Sequence, residues 1–176
     1  MRLIRSLLPF LSLWSVAWGS LTVKAQPRSV ALVPPSSQVE FRTYGLGLLP
    51  IDSDFAAFQG TLSYDPTDRA RCEASLTATV ASLVASKANV RDIIIGPDFL
   101  DAASFPTLHF AGRCDASGLT GMLTMRRITR PLRLTVAWEP HRLTVQGVLR
   151  RADWGITAKP FLVGGAVRIR VTTALP

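Results

Sequence analysis

From Val39 to its end the chain alternates apolar and polar residues with a period of two, which commits most of it to half-buried strands. Phe58, Gly60, Leu62 and Tyr64 fall on one face, with Gln59, Thr61 and Ser63 on the other. Leu76, Ala78 and Val80 alternate with Ser75, Thr77 and Thr79, and Leu108 and Phe110 with Thr107, His109 and Ala111. Leu132, Leu134, Val136 and Trp138 alternate with Arg133, Thr135 and Ala137. Leu143, Val145, Gly147 and Leu149 form another inward set, and Val167, Ile169 and Val171 the last. Turn signals separate the runs: Asp65-Pro66-Thr67-Asp68, Asp115-Ala116-Ser117-Gly118, Thr129-Arg130-Pro131 and Glu139-Pro140-His141. Strands about ten residues apart, divided by turns, predict an antiparallel sandwich or barrel. The sequence offers one helix, Ser86 to Ile95, with Ser86 as its N-cap and Gly96-Pro97 as its stop. A short helical turn is expected over Asp98 to Ala103.

The first 25 residues read as a secretory signal. Arg2 and Arg5 form a basic start, Leu7 to Trp18 an apolar middle, and Val23-Lys24-Ala25 a cleavage site after Ala25. Pro9 and the serines suit this segment poorly to spanning a membrane, which takes about 20 apolar residues. Residues 26–37 are rich in Pro and Ser and read as a lead-in, leaving 38–176 as one domain. Of 20 basic residues three lie in 1–25, and none of the 12 acids does, so the remainder carries +5. For an exported chain this excludes nucleic acid as an expected partner. An anionic membrane surface, an acidic ligand head group or no specific partner fits better. The two cysteines, Cys72 and Cys114, both fall on the inward phase. In an oxidising compartment they predict a disulfide, the alternative being two buried thiols.

The chemistry-bearing residues do not converge. His109 takes the outward phase of its strand and His141 sits in a turn, whereas zinc wants three or four ligands. No G-x-S-x-G elbow and no Gly-rich phosphate loop occurs. No catalytic residue, metal or cofactor is expected, and the chain reads as a non-enzyme. Arg126, Arg127, Arg130, Arg133, Arg150 and Arg151 form basic patches. They are either a solvated face or a grip for phosphate. Arg91 with Asp92 reads as a structural pair at the helix end, and Asp153 likewise as structural.

Several segments resemble the YceI-like family. Ser36 to Phe41 is similar to its opening strand, and Phe58 to Pro66 (FQGTLSYDP) to its F-x-G-x-L-x-x-D segment. Val80 to Leu83 resembles a strand end with a Ser. Arg91-Asp92, then Asp98 to Asp101 and Phe105-Pro106, resemble its helix-loop signature. Gly121 to Pro131 resembles its G-x-L-T hairpin, and Arg150 to Ile156 (RRADWGI) its R-x-D-F/W-G segment. The chain departs from the pattern at Ile93, Ile94 and Ile95, where the family often has His and Leu, and at Arg127, where Gly is usual. The resemblance implies an all-β, eight-stranded, lipocalin-like antiparallel barrel in the periplasm. It also implies a long apolar ligand inside, a polyisoprenoid or fatty amphiphile, and it allows a homodimer.

With that implication, the candidate ligand-binding residues are Phe41, Phe58, Leu76, Ala78, Phe110, Leu134 and Trp138 by inward phase. Phe99 and Phe105 join them from the helix-loop that could gate one mouth, and Trp154 from the R-x-D-F/W-G segment. Small inward residues (Gly60, Ala78, Gly112, Gly121, Gly147) would leave room between the large ones. Two readings stay open: a hollow barrel carrying a lipid, and a filled barrel acting in stress through its basic surface.

Overall fold

The computed structural model describes residues 26–86 and 88–176, so the signal segment lies outside the described residues. The period-two runs become strands β1 (Arg28–Ala31), β2 (Ser37–Gly45), β3 (Leu49–Phe55), β4 (Phe58–Tyr64), β5 (Cys72–Thr79), β6 (Leu83–Ala85), β7 (Thr107–Asp115), β8 (Gly118–Met125), β9 (Ile128–Glu139), β10 (Arg142–Arg150) and β11 (Ala166–Ala174). They form one antiparallel sheet in the order β1-β4-β5-β7-β8-β9-β10-β11-β2-β3-β6.

Eleven strands stand where eight were expected, because three long strands are each bent into two. Ala31 pairs with Thr61 and Glu40 with Asp54, so β1 and β2 together follow β4 and β3 as one antiparallel neighbour. Phe58 pairs with Ala78 and Phe55 with Leu83, so β5 and β6 do the same on the other side. The pairing survives the bend. The Ala56 N–H donates to the Ser82 carbonyl (3.1 Å) and the Thr79 N–H to the Ala57 carbonyl (3.0 Å). Ser82 fixes the corner: its hydroxyl donates to the Thr79 carbonyl (2.7 Å) and accepts the Ala57 N–H (3.0 Å). A short 3₁₀ turn, Val80–Ser82, carries the chain round it. Counted as continuous staves, the wall has eight, and chain continuity closes it. Part of the expected lead-in is therefore wall, since Arg28–Ala31 forms β1 against β4.

The apolar phase points inward along every stave, with Leu62, Val80 and Leu83 at 2% exposure or less. One end carries the turns after β4, β7 and β9. There Cys72 opens β5 and Cys114 nearly ends β7, one step beyond the Glu73–Arg113 pair. Their Cα atoms are 4.8 Å apart and the sulfurs are bonded, as the shared phase predicts. The other end is capped by α1 (Ala88–Ile95) and the loop after it. The helix is defined from Ala88, and the Ser86 N–H donates to the Asp52 carbonyl (3.2 Å) of β3. Arg91 ties the helix down, its Nε donating to the Leu83 carbonyl (2.9 Å) and its Nη2 to that of Ala81 (2.8 Å). Its Nη1 meets Asp92 at 3.2 Å.

Candidate ligand cavity

The interior is hollow. A cavity of about 210 Å³ is lined from all eight staves, from Leu62, Cys72, Leu119 and Leu143 at the disulfide end to Phe99, Leu100, Ile156 and Val163 at the helix end. The surface facing it is apolar. Phe41, Leu76, Phe110, Val136 and Ile169 point inward yet are only half-buried, and in a filled core they would be covered. Empty apolar cavities of about 150 Å³ stay dry and admit a benzene-sized guest, so this space accommodates a narrow apolar chain.

One charged group stands apart at the helix end. Arg151 is 5% exposed and lines the cavity. Its Nη1 donates to the Ile156 carbonyl (2.8 Å), its Nη2 to Val163 (2.9 Å) and its Nε to Gly164 (3.1 Å). The Phe99 ring lies 5.5 Å from the guanidinium carbon. Burial pushes the Arg151 pKa down, but a guanidinium stays protonated at neutral pH. The sequence grouped Arg151 with the basic surface patches, whereas the fold turns it inward as a clamp on residues 156–164.

Six of the ten sequence-derived candidates line the cavity: Phe41, Leu76, Ala78, Phe99, Phe110 and Leu134. The other four lie elsewhere. Phe58 is buried in the wall at the bend. Phe105 sits under the guanidinium groups of Arg126 (5.8 Å) and Arg127 (5.5 Å). Trp138 has the expected phase but stands at the disulfide end, 5.2 Å from the Tyr64 ring and under Arg69. Trp154 is buried outside the lining, and its indole N–H donates to the Leu123 carbonyl (3.0 Å). Val136, Val145, Leu149, Ile169 and Val171 complete the wall. They share the inward phase that marked Leu76, Ala78 and Leu134, and phase alone would have found them.

The inward glycines do not make the space. Gly112 and Gly121 face each other across β7 and β8, and the Phe110 ring covers both. A Cβ on Gly121 would meet Phe110 Cζ at 2.6 Å and the Gly112 Cα at 2.6 Å. A Cβ on Gly147 would meet Leu134 Cδ2 at 2.3 Å. These positions are small so that Phe110 and Leu134 can lie flat, and the void is what remains between the larger side chains. The exposed His109 has its Nδ1 3.0 Å from the Thr77 hydroxyl.

An antiparallel barrel closed around an apolar cavity is lipocalin-like in class. Residues 31–175 match the YceI-like domain, and the chain belongs to that family. A UPF0312 protein of Enterobacter sp. (strain 638) is 28% identical over 145 residues, which span 78% of this chain and 71% of that protein. BcnA of Burkholderia cenocepacia has the same barrel, with a TM-score of 0.66 at 24% identity over 80% of this chain and 96% of its own. A polyisoprenoid binding domain from Saccharophagus degradans, implicated in plant cell wall breakdown, matches with a TM-score of 0.56 at 14% identity. It covers 82% of this chain and 98% of its own.

Proposed function

We propose that this protein is a periplasmic carrier that holds a long-chain amphiphile, a polyisoprenoid or fatty-acid-like lipid, inside the barrel. The observation that carries the reading is the apolar cavity running between the two ends of the wall. Its family and the polyisoprenoid binding domain among its structural neighbours support the same ligand class. The energetics agree: each methylene moved from water into such a cavity contributes about 0.8 kcal/mol, so a chain binds well with no polar contact. At about 210 Å³ the space is below the roughly 300–1,000 Å³ of ordinary ligand pockets. The occupant is therefore a slender chain, with its head group left at an end. The protein acts by binding and release, without turnover. The disulfide is compatible with an oxidising compartment.

Native mass spectrometry of protein purified from the cell envelope, followed by solvent extraction, tests this. A stoichiometric prenyl or acyl adduct is the expected result. A bare mass that stays unchanged after incubation with prenyl and acyl lipids would sink the carrier reading.

A further inference from the structure

The turn from β2 to β3 and the loop before β11 lie side by side at the helix end. The Leu46 N–H donates to the Leu162 carbonyl (2.9 Å), and Gly45 bridges to Val163. Together they expose five large apolar side chains: Leu46 at 62%, Leu48 at 84%, Leu49 at 60%, Phe161 at 92% and Leu162 at 53%. A contiguous apolar patch of a few hundred Å² on a water-soluble domain is commonly functional.

The shape of the patch says what it meets. Leu48 and Phe161 are nearly as accessible as in a free chain, so they project from the body instead of lying on it. A stable interface with a second copy would want a broad face of about 800 Å² per partner. Two projecting tips suit insertion among lipid head groups. Polar groups of the matching kind lie just behind them. Tyr44 is half-buried, with the Arg168 guanidinium carbon 5.5 Å from its ring and Arg168 Nη1 3.2 Å from its hydroxyl. Lys159 is exposed at the base of the loop, where its carbonyl accepts the Leu162 and Val163 N–H groups (3.0 Å each). Tyr, Arg and Lys behind apolar tips form the belt that membrane interfaces favour. On β3 the acid nearest the turn, Asp52, is tied to Arg42 at 3.0 Å, and residues 26–176 carry net positive charge.

We propose that the Leu46–Leu49 turn and the 159–163 loop form an anchor that seats this end of the barrel on an anionic phospholipid bilayer. The proposal rests on the outer surface and goes beyond the cargo reading, so either can fail alone. The anchor also adjoins the cavity, because Val163 lines the cavity wall next to Leu162.

Co-flotation with vesicles tests it, using phosphatidylcholine alone or with about one-third phosphatidylglycerol. The purified protein is expected to float with the anionic vesicles, less so at high salt. L48D combined with F161D should weaken that binding at least roughly tenfold with the melting temperature unchanged, because both side chains are exposed. M122D places a charge at an exposed apolar position on the barrel's flank, on β8 away from the anchor, and should bind as the parent does. Absence of binding to anionic vesicles would overturn the proposal, as would equal losses from M122D and from the tip pair. A dimer in sedimentation velocity that L48D with F161D splits, without vesicle binding, would assign the patch to a second copy and overturn it too. Should the tip pair fail to fold, Leu48→Trp gives the same decision. Blue-shifted emission on anionic vesicles supports the anchor, and unshifted emission refutes it.

Discussion

The Arg151 guanidinium lies 5.5 Å from the Phe99 ring, so a buried cation and an aromatic cap close one end of the cavity together. Arg151 opens the 3₁₀ turn after β10, Phe99 comes from the loop after α1, and the three carbonyls that Arg151 binds belong to residues 156–164. One side chain thus joins three segments.

Replacing Arg151 should cost far more than a surface arginine. Arg151→Met leaves the carbonyls of Ile156, Val163 and Gly164 without their donor. At about 1–3 kcal/mol for each buried group left unpaired, partly relieved by water, the expected loss is about 3–5 kcal/mol in urea unfolding. Arg151→Lys should recover less than half, since one ammonium cannot reproduce the planar fork. A loss below about 1 kcal/mol would show that the clamp is dispensable.

Phe99→Ala should loosen the capped end. Truncating a buried Phe costs about 3–5 kcal/mol, and here it also enlarges the space beside Arg151. Stopped-flow uptake of a lipophilic fluorophore should become several-fold faster, as expected when a lid limits exchange. An unchanged rate would place entry at the disulfide end.

The Cys72–Cys114 bond closes a long loop, with a sequence separation of 42. In the chain-entropy account, its loss in a Cys72→Ala, Cys114→Ala double variant removes about 4 kcal/mol. Urea midpoints of the parent with and without reductant should differ in the same direction, and the double variant should not respond to reductant.

The turns at the disulfide end carry a pH dependence. The Ser117 hydroxyl, then its N–H, hydrogen-bond the Asp115 carboxylate and hold its pKa below the ordinary range. Thr67 does the same for Asp65. A carboxylate with a depressed folded pKa stabilises the fold fully above the unfolded value of about 3.9, and that contribution is lost as pH falls through the folded value. NMR titration should show the Ser117 and Thr67 amides unchanged down to about pH 5 and shifting only below about pH 4. Asp115→Asn should abolish the shift at Ser117 and leave that at Thr67.

The staves were legible because a barrel wall buries alternate residues, which imprints a period of two. The same period gives the face of a side chain but not its height, so Trp138 had the right phase and the wrong place. Bends were not legible: Ala56-Ala57 carries no turn residue, and Ser82 becomes a corner only through its bonds to Thr79 and Ala57. Arg151 could have been found. Leu143, Val145, Gly147 and Leu149 point inward, and the next position in that phase is 151. Its neighbour Arg150 made the pair look like a surface patch. The glycines misled because a missing side chain looks like room, whereas Gly112 and Gly121 are bare so that Phe110 can lie across them.

The bent staves have a kinetic consequence. At the Ala56–Ala57 corner the pairing runs unbroken, so opening a gap there would break backbone hydrogen bonds. The β9–β10 ladder, in contrast, ends at Thr135 and Gln146, and residues 147–150 pair with β11 alone. The corner is thus shut to traffic, whereas exchange past Phe99 and Arg151 needs only that those two side chains part.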